Sequence, residues 1–148
     1  MNPNIKFAER TAVLATIDPI SQAAGTVTTG WVSMANVHSV AALLLTGILG
    51  ASATFDAKLQ QAQDSSGTGA KDIAGKAITQ IVKASGDQKQ AILEARDTDL
   101  DVTGGFGYVR LSVTVGTATS LIGAALLGAN PIYMPASAIN QAGVVQLV

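Results

Sequence analysis

Cysteine is missing altogether, histidine occurs once, and aromatic residues make up only 4% of the chain. The missing thiols exclude disulfides, cysteine nucleophiles and thiolate metal sites. Charge is also scarce. Asp, Glu, Lys and Arg together reach 13%, about half the roughly 25% of an average soluble domain. Nine basic residues against ten acidic ones leave a net charge of −1, so there is no positive field to hold nucleic acid. A disordered chain is excluded as well, because disorder needs a polar, charge-rich composition.

What remains is apolar. Of 148 residues, 48% are hydrophobic, enough for one core in one domain. The few charges are concentrated: fifteen of nineteen lie between Asp56 and Arg110, with none from Pro19 to Phe55 and none from Leu111 to Val148. Two readings of these neutral segments stand side by side. They are inner strands of a sandwich, or they are permanent subunit contacts, since interface cores are depleted of charge. The most apolar runs, Val40–Ala53 and Leu121–Ala129, fall short of the ~20 residues of a membrane helix and lack flanking Lys/Arg clusters. The first ten residues carry no signal-peptide core. The expectation is a soluble protein without a membrane partner, with a two-span membrane protein as the alternative.

Period-two alternation identifies strands. In Ala53–Gln60, Ala53, Phe55, Ala57 and Leu59 alternate with polar residues, and in Tyr108–Val115 the inward set is Val109, Leu111, Val113 and Val115. Thr11–Ile17 is a further strand, ending at Asp18-Pro19, where proline removes a ladder donor. Trp31 begins another alternating stretch and packs in the core or on a sheet face. Ala77–Lys83 and Gln90–Arg96, joined by SGDQ, have the form of a hairpin. The same region also carries helical spacing at Ile73, Ala77 and Ile81, with good helix formers in KQAILEAR. Strands at roughly 8–12-residue intervals with glycine-rich turns favour an all-β antiparallel sandwich or barrel. The expected organisation is an N-terminal arm (1–11), a sandwich (12–135) and a C-terminal tail (136–148).

The inventory for catalysis is thin. Gly69 to Gly75-Lys76 has five intervening residues where a phosphate-binding loop has four, and Ala77 stands where its hydroxyl belongs. Asp97, Asp99 and Asp101 have the spacing of a calcium loop, but Val102 and Tyr108 replace its glycine and glutamate. A solvated acidic loop is expected there, with a weak carbonyl-assisted calcium site as the alternative. His38 lies far in sequence from any acid, and no GxSxG elbow occurs. The reading is a non-enzyme: no catalytic residue, no cofactor, no metal.

Three blocks, Leu49–Ile73, Gly75–Arg96 and Gly104–Gly128, resemble in content and order a family of small virion proteins of tailed bacteriophages. The best-understood members are head decoration or cement proteins, and the likeness spans about Thr11 to Pro135. It implies a jelly-roll-like β-sandwich on the outer surface of the capsid, bound to the major capsid protein, bridging capsomers and self-associating as a dimer or trimer. The family has no active-site residues to carry over. The reaching elements are then the arm, through Ile5 and Phe7, and the tail, through Val144, Val145 and Leu147, which can add a strand to a neighbouring sheet edge or close their own domain. The alternatives are a tail or head–tail connector component, and a virion-surface module binding host glycans or polypeptides through loops such as Asp64–Lys71 and Asp97–Gly107.

Overall fold

The computed structural model describes residues 4–148, so the first three positions of the expected arm lie outside the described residues. A single helical turn, α1 (Phe7–Arg10), precedes ten strands: β1 (Thr11–Gln22), β2 (Gly25–Thr28), β3 (Val32–Ser33), β4 (Val37–Thr46), β5 (Thr54–Ala62), β6 (Lys71–Ala77), β7 (Ile81–Val82), β8 (Gln90–Arg96), β9 (Tyr108–Gly116) and β10 (Ser120–Pro131). One sheet, here sheet A, runs β1-β10-β4-β8. The other, sheet B, runs β2-β9-β5-β6, with β3 also on β9 and β7 also on β5. Every pairing is antiparallel.

The topology follows from counting. Strands β2 and β3 share one neighbour, as do β6 and β7, so the chain has eight strand positions. First pairs with last (β1 with β10), second with seventh (β2/β3 with β9), third with sixth (β4 with β8) and fourth with fifth (β5 with β6/β7). This nested pairing is one long hairpin rolled into two facing sheets, the jelly-roll arrangement. The protein is thus an all-β antiparallel sandwich, as its alternating segments imply. Among the described residues no helix is long and apolar enough to cross a membrane.

Side chains on the two inner faces fill the space between the sheets. Phe55, Ala57 and Leu59 of β5 and Val109, Leu111, Val113 and Val115 of β9 are buried, facing Val40, Ala42 and Leu44 of β4 and Ile122, Ala124 and Leu126 of β10. These are the inward sets that the period of two picks out on β5 and β9.

Two local readings are corrected by the structure. The segments around Ala77–Lys83 and Gln90–Arg96 do not form a hairpin: β7 pairs with β5 in sheet B, and β8 pairs with β4 in sheet A. The SGDQ joint turns at Gly86 (φ 97°) and is anchored by the Asp87 carboxylate, which accepts from Leu49 N (2.9 Å) and Lys83 Nζ (2.7 Å). Those bonds steer the chain from one sheet to the other. The strand from Thr11 also continues past Asp18-Pro19 to Gln22. Its register shifts between Ile17 and Ile20, so the proline sits at a bulge on an edge strand, where its missing N–H breaks no ladder.

Candidate assembly surface

The two outer faces of the sandwich differ in chemistry. On sheet B the outward side chains are polar and joined to one another. Lys58 Nζ and Gln60 Nε2 both donate to Asp72, each at 2.8 Å, and Arg110 Nε donates to Gln60 Oε1 at 2.9 Å. The Arg110 guanidinium lies 4.5 Å from the centre of the Trp31 ring, which makes the tryptophan a sheet-face residue. Thr26 and Thr114 hydroxyls meet across β2 and β9 at 2.8 Å, and Gln80 donates to Asp56. This is the solvated side that an antiparallel sheet normally presents.

Sheet A has no such side. Its outward residues on β10 are Leu121, Gly123, Ala125, Leu127 and Ala129, beside Ser39, Ala41, Leu43 and Leu45 on β4 and Val13 and Thr16 on β1. Strand β8 adds Ile92, and the charges of the face are confined to the two edge strands, at Glu94 and Arg96 of β8 and at Asp18 of β1, which accepts from the Thr16 hydroxyl (2.9 Å). Ile92 is 64% exposed, Leu45 44% and Leu121 45%, and Ile48, in the loop after β4, is 60% exposed. A groove of about 410 Å³ opens among Pro19, Ile20, Leu45, Leu121 and Gly123. Inward, the two neutral segments of the sequence are core, and outward on sheet A they form an apolar surface. The signal was legible in VAALLLT and LIGAALLG, which lack the polar alternates a one-sided strand carries.

The five residues singled out as reaching elements gather at the far end of this sheet. Helix α1 packs on the turn Ala136–Ile139 and on β1 and β10, so arm and tail meet where β1 begins and β10 ends. Ile5 and Val144 are half-buried, whereas Phe7 (72%), Val145 (92%) and Leu147 are exposed. Within the segment after Pro135, Ala136 is fully buried. Asn140 Oδ1 accepts from Val13 N (2.8 Å) and Gln141 N donates to Val13 O (2.7 Å), which seals the β1 edge at that point.

The polar motifs are dispersed rather than assembled. The Asp97 carboxylate accepts from His38 Nδ1 at 2.8 Å, and that contact above all holds its carboxyl below the usual range. Asp99 accepts from Arg96 N and faces Lys76 Nζ at 3.1 Å, the first contact being the larger cause of its lowered pKa. Asp101 pairs with Lys71 (2.7 Å), with Gly104 N as a second donor. Each carboxylate thus has its own partner, and among the described residues no group of three or more His, Cys, Asp or Glu is placed to hold a metal. The acid beside His38 was hidden in sequence. It becomes visible only through the β4–β8 register, which sets Ser39 opposite Arg96. The neighbouring Ser39 hydroxyl donates to Ala129 O (3.3 Å). Lys71 Nζ, at the end of the loop Asp64–Lys71, lies 4.2 Å from the ring centre of Phe106 in the loop Asp97–Gly107 and covers one face of that ring.

No protein-family model matches the chain, and no curated protein matches it. The likeness to tailed-phage decoration proteins therefore rests on the three sequence blocks alone. Among solved structures, a chain of infectious bursal disease virus, Gt strain, is similar with a TM-score of 0.45 and 10% identity, covering 93% of this chain and 37% of that one. A chain of Broad Bean Stain Virus has a TM-score of 0.45 and 10% identity, covering 91% of this chain and 94% of that one. The VP2 subviral particle of infectious bursal disease virus gives 0.44 and 13%, with 92% and 37% coverage. This chain spans little more than a third of the bursal disease virus chains.

Proposed function

We propose that the protein is a non-enzymatic structural subunit of a tailed-bacteriophage virion, a capsid decoration or cement protein. The observation that carries this reading is the outer face of sheet A. It is an apolar sheet surface whose charges lie only on its two edge strands, at Asp18 of β1 and at Glu94 and Arg96 of β8, and contiguous apolar surface of this kind marks interaction sites. Such a face suits permanent contact with other protein, and the resemblance of the three sequence blocks names the setting. In this reading the partners are the major capsid protein and further copies of this chain. Ile5, Phe7, Val144, Val145 and Leu147 reach toward neighbouring subunits, and the location is the outer surface of the shell. Binding only the assembled lattice shifts its equilibrium away from rupture, and many sites engaged together multiply the effect. No cofactor or metal enters.

Cryo-electron microscopy of the particle that carries this chain tests the reading. Density for the sandwich at every capsomer junction, with sheet A or the arm and tail facing the shell, is the expected result. Density confined to the tail or the unique vertex makes the protein a connector or tail component instead. A particle without it overturns the virion role, and clean glycan binding by the isolated protein then favours a recognition module.

A further inference from the structure

The cross-strand register arranges the outer face of sheet A in rows that pair a large side chain with a small one. Leu45 of β4 lies beside Gly123 of β10, Leu43 beside Ala125, and Ala41 beside Leu127. The large member is on β4 in the first two rows and on β10 in the third. The result is a relief of ridges and troughs, and the groove over Gly123 is one of the troughs. Consider a two-fold axis lying in this face, parallel to the strands and midway between β4 and β10. It exchanges the two columns and keeps the rows. Leu45 then stands over Gly123 of the partner subunit, Leu43 over Ala125 of the partner subunit, and Leu127 over Ala41 of the partner subunit. In all three rows the ridge of one copy meets the trough of the other.

We propose that the protein forms a two-fold dimer by stacking this face of sheet A on the same face of a second copy. The area suffices. Four strands ~4.8 Å apart and roughly nine residues long at ~3.3 Å each make a face of about 570 Å², or about 1,100 Å² over two copies. That clears the ~1,000 Å² expected of a specific interface. Sheets stack face to face at ~10 Å in this way inside every β-sandwich, with side chains interdigitating. The charged residues sit on the two edge strands, Glu94 and Arg96 on β8 and Asp18 on β1, so stacking leaves them at a polar rim around an apolar centre. The inference rests on the reading of this face as an assembly surface and names its first occupant.

Sedimentation velocity on the purified full chain, from micromolar to sub-millimolar concentration, provides the test. Wild type is expected to be a dimer. Ala125→Leu fills the trough and is expected to give a monomer with an unchanged circular dichroism spectrum. Leu43→Ala empties the ridge and weakens the dimer at least about tenfold, because two leucine contacts are lost per dimer. The double variant Leu43→Ala/Ala125→Leu moves the ridge to the other column and restores dimerisation. Should Ala125→Leu fail to fold, Leu45→Lys, at a half-exposed position, serves as the second disrupting variant. A wild type that stays monomeric, a disrupting variant that folds and dimerises normally, or a double variant without rescue overturns the proposal. Incorporation of Leu43→Lys into particles separates the two levels. Loss of incorporation alongside a monomeric wild type leaves the assembly reading standing with the capsid as the occupant. Normal incorporation removes the face from that reading too.

Discussion

Thr29 offers a clean test of how sheet B holds its interrupted edge. Between β2 and β3 the chain leaves β9, yet Leu111 of β9 is fully buried there and its N–H needs an acceptor. Thr29 supplies both halves of a missing ladder pair. Its backbone N donates to Leu111 O at 3.0 Å, and its side-chain Oγ1 accepts from Leu111 N at 3.0 Å. Thr29→Val keeps the shape and removes only the acceptor, leaving a buried donor unsatisfied. Such a group costs about 1–3 kcal/mol, which in a domain of this size lowers the melting temperature by roughly 3–10 °C. Thr29→Ser retains the oxygen and gives up one methyl, a loss of about 0.8 kcal/mol. Thermal melts followed by circular dichroism at one fixed protein concentration measure the difference. A Thr29→Val protein as stable as wild type, or one no worse than Thr29→Ser, refutes the assignment of the hydroxyl as a ladder acceptor.

Gly67→Ala is expected to destabilise by about 1–2 kcal/mol, a value for left-handed backbone at a non-glycine residue: φ is 87° and the added Cβ would lie 2.5 Å from Trp31 Nε1. Its signature is a shifted tryptophan emission together with the lower melting temperature. Acid should weaken the fold. Asp64 (held by the Thr68 hydroxyl), Asp72 (by Lys58 and Gln60) and Asp87 (by Lys83), together with Asp97, Asp99 and Asp101, are all lowered from the ordinary carboxylate value. The unfolded chain therefore binds more protons near pH 4, so this contribution is complete above about pH 4 and disappears as pH falls through the folded values. A melting temperature that does not fall between pH 5 and 3, roughly the window these shifts define, contradicts it. Val145→Lys and Leu147→Lys change exposed positions and should leave the melting temperature within about 0.5 kcal/mol equivalent of wild type, while reducing incorporation into particles. Unfolding of either variant would instead make the segment part of the core.

Much of the sandwich is legible in the sequence because strands such as β5 and β9 bury one face only. Phe55, Ala57 and Leu59 alternate with Asp56 and Lys58, and that period is the fold. The β7–β8 region misleads for a physical reason. A Gly-Asp turn between two short apolar segments has the same composition whether it closes a hairpin or carries the chain across the sandwich. Long-range bonds from Asp87 to Leu49 decide the matter, and no local pattern encodes them. The apolar face of sheet A was half visible, as missing charge. Its relief of leucine against glycine and alanine needs the β4–β10 register, which joins residues about eighty positions apart. His38 and Asp97 were brought together by the same kind of distant pairing.

The nesting of strand pairs also dictates an order of events during folding. Strand β10 is the last in the chain and yet lies inside sheet A, between β1 and β4. Until it arrives, the first strand has no neighbour in its own sheet. Joining Ile17 to Ala124 closes a loop of more than a hundred residues, an entropy of on the order of 4 kcal/mol, whereas β5 and β6 meet across a short turn. Formation from the middle outward, β5 with β6 first and β1 with β10 last, closes each larger loop on one already shortened. A chain emerging from the ribosome accordingly holds β1, and the β10 side of β4, unpaired for almost the whole of its synthesis. High contact order of this kind makes for slow folding. The interval before β10 docks is the one in which this protein is most exposed to aggregation or to pairing with the β10 of a neighbouring chain.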